Sequence, residues 1–162
     1  MEKRLTKIRM ATSDDLPAIN SIAKQVHDLH VRLRPDIYLY QEEVITTEYF
    51  TQLLKEALIF IGEIDEEIVS YAVCFIRTWL NPVQVKRKVM FVDALGIENE
   101  YRRWGIGTQM MDHIMAYAKK AGCDRLELQV MEVNQEAKAF YNSLNMKIKA
   151  QIMELDLEKT DE

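Results

Sequence analysis

Residues 91–108 read Phe91-Val92-Asp93-Ala94-Leu95-Gly96-Ile97-Glu98-Asn99-Glu100-Tyr101-Arg102-Arg103-Trp104-Gly105-Ile106-Gly107-Thr108, which is the pattern of a strand, a polar connection, a Gly-x-Gly turn and the start of a helix. The apolar run ending at Ile97 predicts a strand, and an amphipathic helix is predicted over 105–121 after a short polar connection. The first turn of a helix has unpaired N–H groups and about half a positive charge. With Arg102 and Arg103 beside it, the junction suits a phosphate or pyrophosphate.

The common phosphate-binding loops do not fit this junction. A Walker loop needs Gly-Lys-Ser/Thr, whereas Gly107 is followed by Thr108 and Gln109. The dinucleotide fingerprint needs a third glycine where this chain has Met110. Taken alone, a Gly-x-Gly pair favours a tight turn over a ligand site.

Strands and helices alternate on both sides of this stretch. The predicted strands are 7–11, 58–64, 68–79, 89–97, 125–130 and 147–157, and the predicted helices are 12–34, 42–57, 105–121 and 134–144. The order β-α-α-β-β-β-α-β-α-β contains a hairpin, so an all-parallel sheet is excluded. We therefore predict an α/β fold with a central mixed, mostly antiparallel sheet and helices on both faces.

Composition narrows the class of protein further. The chain has 162 residues, 48% hydrophobic and 29% charged, which predicts a single globular domain over 1–162, structured from about 7 to 157. A net charge of −5 argues against a nucleic-acid partner. No apolar run reaches the roughly 18 residues of a membrane span, and the N-terminus has no signal-peptide pattern. A cytoplasmic location without membrane contact is expected, and Cys74 and Cys123 have no metal-ligand spacing.

Two motifs in register give the Gly-x-Gly pair a more specific meaning. Arg102-x-x-Gly105-x-Gly107 matches the Gln/Arg-x-x-Gly-x-Gly/Ala signature of the GNAT acetyltransferase superfamily. Downstream, the segment from Asn134 to Tyr141, Asn-x-x-Ala-x-x-Phe-Tyr, resembles the second signature of that family. The element order agrees as well, so the chain resembles this family from about 7 to 157.

One departure from the family pattern follows the second signature. The family usually has Gly-Phe after that helix, and this chain has Asn145-Met146. Because asparagine tolerates the left-handed backbone conformation that glycine supplies, the turn is expected to survive.

The resemblance implies acetyl-CoA as co-substrate and no metal. Backbone groups of the strand end would contact the pantetheine arm, the amides after Arg102 would hold the pyrophosphate, and Asn134 would hydrogen-bond the cofactor. The parallel strands are expected to splay apart at this site. The predicted cofactor-binding residues are Leu95, Gly96, Ile97, Arg102, Arg103, Trp104, Gly105, Ile106, Gly107, Thr108 and Asn134.

Acetyl transfer to an amine needs a proton acceptor and help for the leaving thiolate. An alkylamine with a pKa near 10.4 is neutral about once in 2,500 molecules at pH 7. The resemblance assigns Tyr141 to the thiolate, and Asp93 is an acidic residue within an apolar strand that could accept the proton.

Strand alternation places Phe91, Asp93, Leu95 and Ile97 on one face unless a bulge intervenes. Asp93 could equally pair with a basic side chain, and Glu127, Glu132 or a water chain are alternative bases.

These residues do not determine which molecule accepts the acetyl group. The first hypothesis is direct transfer to a primary amine of a small molecule within a ternary complex. A protein acetyltransferase acting on lysine or an N-terminal amine, and a non-catalytic acyl-CoA-binding regulatory module, are the alternatives. Tyr38 and Tyr40 are expected near the acceptor. Members of the family are often dimers, so the resemblance allows a homodimer, but the sequence itself leaves the oligomeric state open.

Overall fold

A five-stranded sheet organises most of the described chain. Its strands, hydrogen-bonded in chain order, are Lys7–Met10 (β1), Leu58–Ile64 (β2), Glu67–Trp79 (β3), Arg87–Ile97 (β4) and Arg125–Leu128 (β5). The computed structural model describes residues 4–157, which divide into two compact units between Gln129 and Val130. Each unit is described by itself. The prediction of one domain over 1–162 extends at both ends beyond the described residues.

The sheet is mixed and mostly antiparallel, as predicted. Its strands pair antiparallel from β1 to β4, and β5 is parallel to β4. The two residues that turn β2 into β3, Asp65 and Glu66, have φ of 50° and 67°, a pair of left-handed residues typical of tight hairpins.

Helices cover both faces of this sheet. On one face, α1 (Leu16–Leu33) and α2 (Thr47–Glu56) pack on the odd-numbered apolar residues of β2 and β3. On the other face, the Phe60 ring lies 5.1 Å from the His113 ring of α3 (Ile106–Lys120). Alternate side chains of β2 therefore lie in two separate hydrophobic cores, one on each face of the sheet. Among residues 4–157, no helix combines the length and hydrophobicity that crossing a membrane requires.

The second helix begins at Thr47 rather than at residue 42. Thr46 caps it, because its Oγ1 accepts a hydrogen bond from the Tyr49 amide at 3.2 Å. The residues before the cap are held by Asn20 of α1, whose side chain bonds the backbone of Val44 and Ile45. Apolar periodicity continues through this segment, which is why the sequence pattern placed the helix start too early.

The second unit contains α4 (Gln135–Ser143), which ends at a left-handed Asn145 with φ of 62°. The Met146 amide bonds the Tyr141 carbonyl and the Asn145 amide bonds that of Asn142, as in a Schellman motif. The predicted conformation of Asn145 is therefore confirmed.

The prediction of a final strand over 147–157 is wrong for this structure. A strand requires a hydrogen-bonded neighbour, and the described residues of the second unit contain no other strand for this segment to pair with. Its alternating apolar residues remain in solvent, with Ile152 87% and Leu155 83% exposed. Alternation indicates which residues would share a face of a strand, but it does not supply a partner.

An ion-pair cluster joins the first strand to the start of α1. The Arg9 guanidinium binds both oxygens of Asp15, at 2.8 and 2.9 Å, and donates to Glu63 of β2. Asp15 also accepts from the Thr12 amide at 2.7 Å, closing a capping box. These bonds, led by the one from Arg9, lower the pKa of the buried Asp15 carboxyl.

The Asp15→Asn variant should lose stability at pH 7 by about 1–3 kcal/mol, because a buried charged hydrogen bond is weakened. A lowered folded-state pKa contributes stability above the unfolded value and loses it as pH falls. The difference from the parent should therefore narrow below about pH 4. Urea unfolding between pH 7 and pH 2.5 measures it, with Asp14→Asn, an exposed neighbour, as control. A difference that stays constant across that range would contradict this role of Asp15.

Candidate functional site

A β-bulge in β4 defines the candidate site. Val73 and Cys74 of β3 are adjacent, but they pair with Ala94 and Val92 respectively. Asp93 is thus the extra residue, without a partner in the β3 ladder. A bulge of this kind redirects side chains and commonly lies beside an active site.

The bulge overturns the predicted face of Asp93. Ala94 packs with Val73 in the core under α1 and α2, whereas Ile97 packs with Ile106 of α3 on the opposite face. Asp93 joins Ala94 on the α1–α2 side, because both line one cavity there. Asp93 therefore does not share a face with Leu95 and Ile97, and strict alternation fails because one residue is inserted.

The cavity beneath α1 and α2 has a volume of about 150 Å³ and lies wholly within the first unit. Most of its walls are aliphatic: the apolar lining residues are Ala23, Val44, Ile45, Leu53, Val73 and Ala94. Tyr49, Tyr71 and Asp93 complete the lining, and Asp93 is the charged residue of the set.

Tyr71 is the buried polar group of this cavity. Its side chain belongs to a residue only 4% exposed, and its hydroxyl makes no hydrogen bond within residues 4–157. Burial, and secondarily the negative charge of Asp93, raise the pKa of this phenol well above its ordinary value. Tyr71 is therefore a neutral phenol with an unused hydrogen-bonding oxygen in the cavity.

The end of β4 is open along one edge. The parallel ladder with β5 stops at Val92 and Leu128, and β4 continues to Ile97 without a parallel neighbour in the described chain. A strand that continues beyond the end of its neighbour leaves backbone groups on that edge available to an extended ligand. The ladder stops because β5 ends at Leu128, so the splay of the parallel strands stays a prediction.

Gly96 has a different role from the expected one. A Cβ added to it would lie 2.5 Å from Cε1 of Tyr71 and 2.9 Å from Cγ2 of Ile22. The space that glycine leaves is filled by the protein itself, so Gly96 lets Tyr71 and α1 close against β4. The lack of a side chain at Gly96 therefore serves packing within the protein and does not make room for a ligand.

The start of α3 carries a run of free backbone donors. Within residues 4–157, the amides of 103–108 donate no hydrogen bond, and the first bond of the helix is from Gln109 to Gly105 at 3.1 Å. Arg103 and Gly105 have φ of 66° and 76°, which turns successive N–H groups toward one side. No atom lies within 4 Å of a Cβ built on Gly105, so the loop is open there. These features suit a pyrophosphate.

Gln109 is a residue that the sequence patterns did not single out. Its Oε1 accepts from the amide and hydroxyl of Thr6, and its Nε2 donates to the Arg4 carbonyl at 2.7 Å. This clamp holds the Arg4 guanidinium 4.4 Å above the Trp104 ring, beside the start of α3. A long-range contact of this kind has no local sequence signature.

In the second unit, Tyr141 and Asn134 both lie on α4. Burial raises the pKa of the Tyr141 phenol to about 12, so it is protonated at neutral pH. The Asn134 side chain caps α4 by accepting from the Ala137 amide at 3.1 Å. The cofactor roles of both residues stay predictions.

The other predicted site residues, Tyr38 and Glu127, do not line the cavity. Tyr38 packs on the rings of His27 and His30 rather than lining the cavity, and Tyr49 has the lining position instead. Glu127 faces Phe91 in the β4–β5 ladder. Among the described residues, no cluster of three His, Cys, Asp or Glu side chains could hold a metal.

Comparison with known proteins agrees with this geometry. The model of the acetyltransferase (GNAT) family matches residues 23–146, and the chain belongs to this family. Family membership confirms both the predicted superfamily and the predicted enzyme class, an acetyltransferase. It also confirms the fold class, since the mixed sheet and flanking helices are those of its structural neighbours.

Two curated relatives differ in how far they match. An uncharacterized N-acetyltransferase of Methanocaldococcus jannaschii is 30% identical over 116 residues, covering 70% of this chain and 50% of the relative. The match thus spans half the length of that relative. An N-alpha-acetyltransferase of Sulfurisphaera tokodaii is 27% identical over 154 residues, covering 90% of this chain and 81% of the relative.

Two solved structures share the fold. A mutant of the BH1408 protein from Bacillus halodurans superimposes with a TM-score of 0.91 and 31% identity, over 94% of this chain and 99% of that chain. The aminoglycoside N-acetyltransferase AAC(6')-Iy in complex with CoA has a TM-score of 0.68 at 15% identity, over 94% and 99%. The second shows likeness of fold alone.

Gly96→Ala should destabilise the protein by about 1–3 kcal/mol, because the added methyl group overlaps the Tyr71 ring and Ile22. Urea unfolding measures the loss. In a Tyr71→Ala background, Gly96→Ala should lower the free energy of unfolding by clearly less, because the ring that obstructs the added methyl group is gone. Equal costs in both backgrounds would contradict the proposed reason for Gly96.

Proposed function

We propose that this chain transfers an acetyl group from acetyl-CoA to a primary amine of a small molecule, directly and within a ternary complex. The observation that carries the proposal is the run of free amides at 103–108 beside the open edge of β4. A helix start supplies donors for a pyrophosphate, and a strand edge supplies donors and acceptors for an amide-containing arm.

The residues present fit coenzyme A as a ligand. The amides of 103–108, with the nearby cations of Arg4 and Arg103, would bind the pyrophosphate. Backbone groups of Leu95, Gly96 and Ile97 would align the pantetheine arm along β4. When bound, acetyl-CoA supplies an activated acetyl group as a thioester.

Asp93 is suited to receive the amine. At the bulge Asp93 is exposed and is one of the residues that line the cavity, so its carboxylate would attract a cationic amine there, and the ammonium would lose its first proton to solvent. The amine nitrogen then attacks the thioester carbonyl: a C–N bond forms, the C–S bond breaks and the amine proton passes to Asp93 or to water. Positioning of the two substrates would supply much of the rate.

Tyr141 is suited to assist the leaving thiolate. Its raised pKa of about 12 keeps the phenol protonated, so it can donate to sulfur. The family resemblance assigns it this role.

Direct transfer is favoured over a cysteine-bound intermediate. Cys74, which lies in β3 next to the bulge, is fully buried, and burial together with the charge of Asp93 raises the pKa of its thiol to about 12. A thiol with that pKa provides almost no thiolate at neutral pH, and the thiolate is the nucleophilic form.

The N-terminal amine of a protein is the second candidate acceptor. The Sulfurisphaera tokodaii relative, an N-alpha-acetyltransferase, matches over nine tenths of this chain, which favours this alternative over a lysine side chain. Both candidates present a primary amine to the same carboxylate.

A screen of amines that follows release of free thiol from acetyl-CoA tests the proposal. It should contain small primary amines and short peptides with free N-termini. Thiol release that depends on a small amine is expected. Tight binding of CoA with no acceptor-dependent release would instead favour a regulatory module.

Gly105→Ala should weaken CoA binding about tenfold, because an alanine strains the left-handed backbone that aligns the free amides. Gly122→Ala is a matched control: Gly122 also has a left-handed φ, 74°, and open space around its missing Cβ, but it lies beyond the other end of α3. Both variants should lose about 1 kcal/mol of stability. Titration calorimetry with CoA separates them, and equal affinities would count against the assigned loop.

Tyr141→Phe should lower turnover about a hundredfold or more while CoA affinity stays within about twofold, because only the donated proton is lost. Steady-state thiol release and calorimetry measure the two quantities. Unchanged turnover with every active amine would reject the role of Tyr141.

A further inference from the structure

The cavity over the Asp93 bulge has a size and lining that acetyl transfer to amines in general does not require. Its volume of about 150 Å³ matches that of an engineered protein cavity that admits benzene. Six of its nine lining residues are aliphatic. A group of about six carbon atoms would therefore fill it and leave no polar partner for a second charge.

The walls of this cavity are held in place. The Asn20 amide donates to the Ile45 carbonyl at 3.0 Å and accepts from the amides of Val44 and Ile45 at 3.2 and 3.1 Å. Leu53 and Val73 are 5% and 3% exposed, packed in the core beneath α1 and α2. Because these contacts fix the walls, the cavity can discriminate by size.

The polar groups of the cavity identify one end of its ligand. Tyr71 is only 4% exposed, and its hydroxyl makes no hydrogen bond within residues 4–157 but keeps some accessible surface, so a ligand in the cavity it lines can bond to it. Asp93 lines the same cavity and can only accept hydrogen bonds when ionised. A primary ammonium group, with three donors, could satisfy both oxygens.

We propose that this cavity is the acceptor pocket and that it selects primary amines bearing one compact apolar group of about six carbons. The inference rests on the proposed function. The ammonium group binds Asp93 and Tyr71, and the apolar group occupies the space between Val44, Leu53 and Val73. The ligand is a free alkyl or aralkyl amine; the N-terminal residue of a peptide with such a side chain offers the same chemistry.

The test compares kcat/KM for amines that differ in the attached group. Each buried methylene should contribute about fourfold, so 3-methylbutylamine should exceed ethylamine about fiftyfold. Spermidine and 2-(1-naphthyl)ethylamine should be poor acceptors, the first for its extra charges and the second for its size. Leu-Ala-Ala-Ala and Gly-Ala-Ala-Ala form the peptide arm, and a peptide preferred over 3-methylbutylamine would identify N-termini as the source.

Two variants change the cavity in opposite directions. Val73→Phe fills it, so the fiftyfold ratio should fall below about fivefold. Tyr49→Ala opens it at a half-exposed residue that folding tolerates, so the naphthyl amine should gain at least about tenfold relative to 3-methylbutylamine. Val83→Phe, the same substitution at a residue 88% exposed outside the cavity, should leave both ratios unchanged.

A binding measurement separates this inference from the proposed function. Saturation-transfer NMR in the presence of CoA should show 3-methylbutylamine bound in preference to ethylamine, and Val73→Phe should abolish the preference. Selective binding without acetyl transfer would support the pocket and reject the proposed function. Transfer at similar rates to 3-methylbutylamine, ethylamine and spermidine would support the function and overturn the pocket.

Discussion

The extra residue in β4 sets which side chains of that strand meet which helices. Val92 pairs with Cys74 and Ala94 pairs with Val73, so Asp93 is skipped by the ladder with β3. Beyond Asp93, the residues of β4 therefore lie on the face opposite to the one that regular alternation predicts. The change sends Ala94 and Gly96 toward α1 and sends Ile97 toward α3. It also places the exposed Asp93 at the edge of a cavity whose other lining residues are six aliphatic residues and the tyrosines Tyr49 and Tyr71.

Beyond the bulge, two ends of secondary structure lie close in sequence and have unused backbone groups. The open edge of β4 runs to Ile97, and the free amides at the start of α3 begin at Arg103. A short turn and the Gln109 clamp connect these features to the rest of the first unit. In the proposed mechanism, backbone groups of β4 and of 103–108 bind the acyl donor, and side chains around the bulge bind the acceptor.

Much of this could be predicted from sequence, because the signals are local. The Thr12 capping box, the glycine-rich helix start and the left-handed Asn145 each depend on residues a few positions apart. The bulge could not be predicted, since alternation through Phe91, Asp93 and Leu95 looks regular. The cavity and the reason for Gly96 depend on Tyr71 and α1, which only the tertiary structure brings together.

A crystal structure of the protein with CoA and 3-methylbutylamine would show whether the acceptor amine binds at the bulge in β4. The amine nitrogen is predicted to lie within hydrogen-bonding distance, about 3 Å, of the Asp93 carboxylate, with the alkyl group in the cavity beside Val73. An amine bound elsewhere, with the cavity beside Val73 empty, would contradict this assignment of the acceptor pocket.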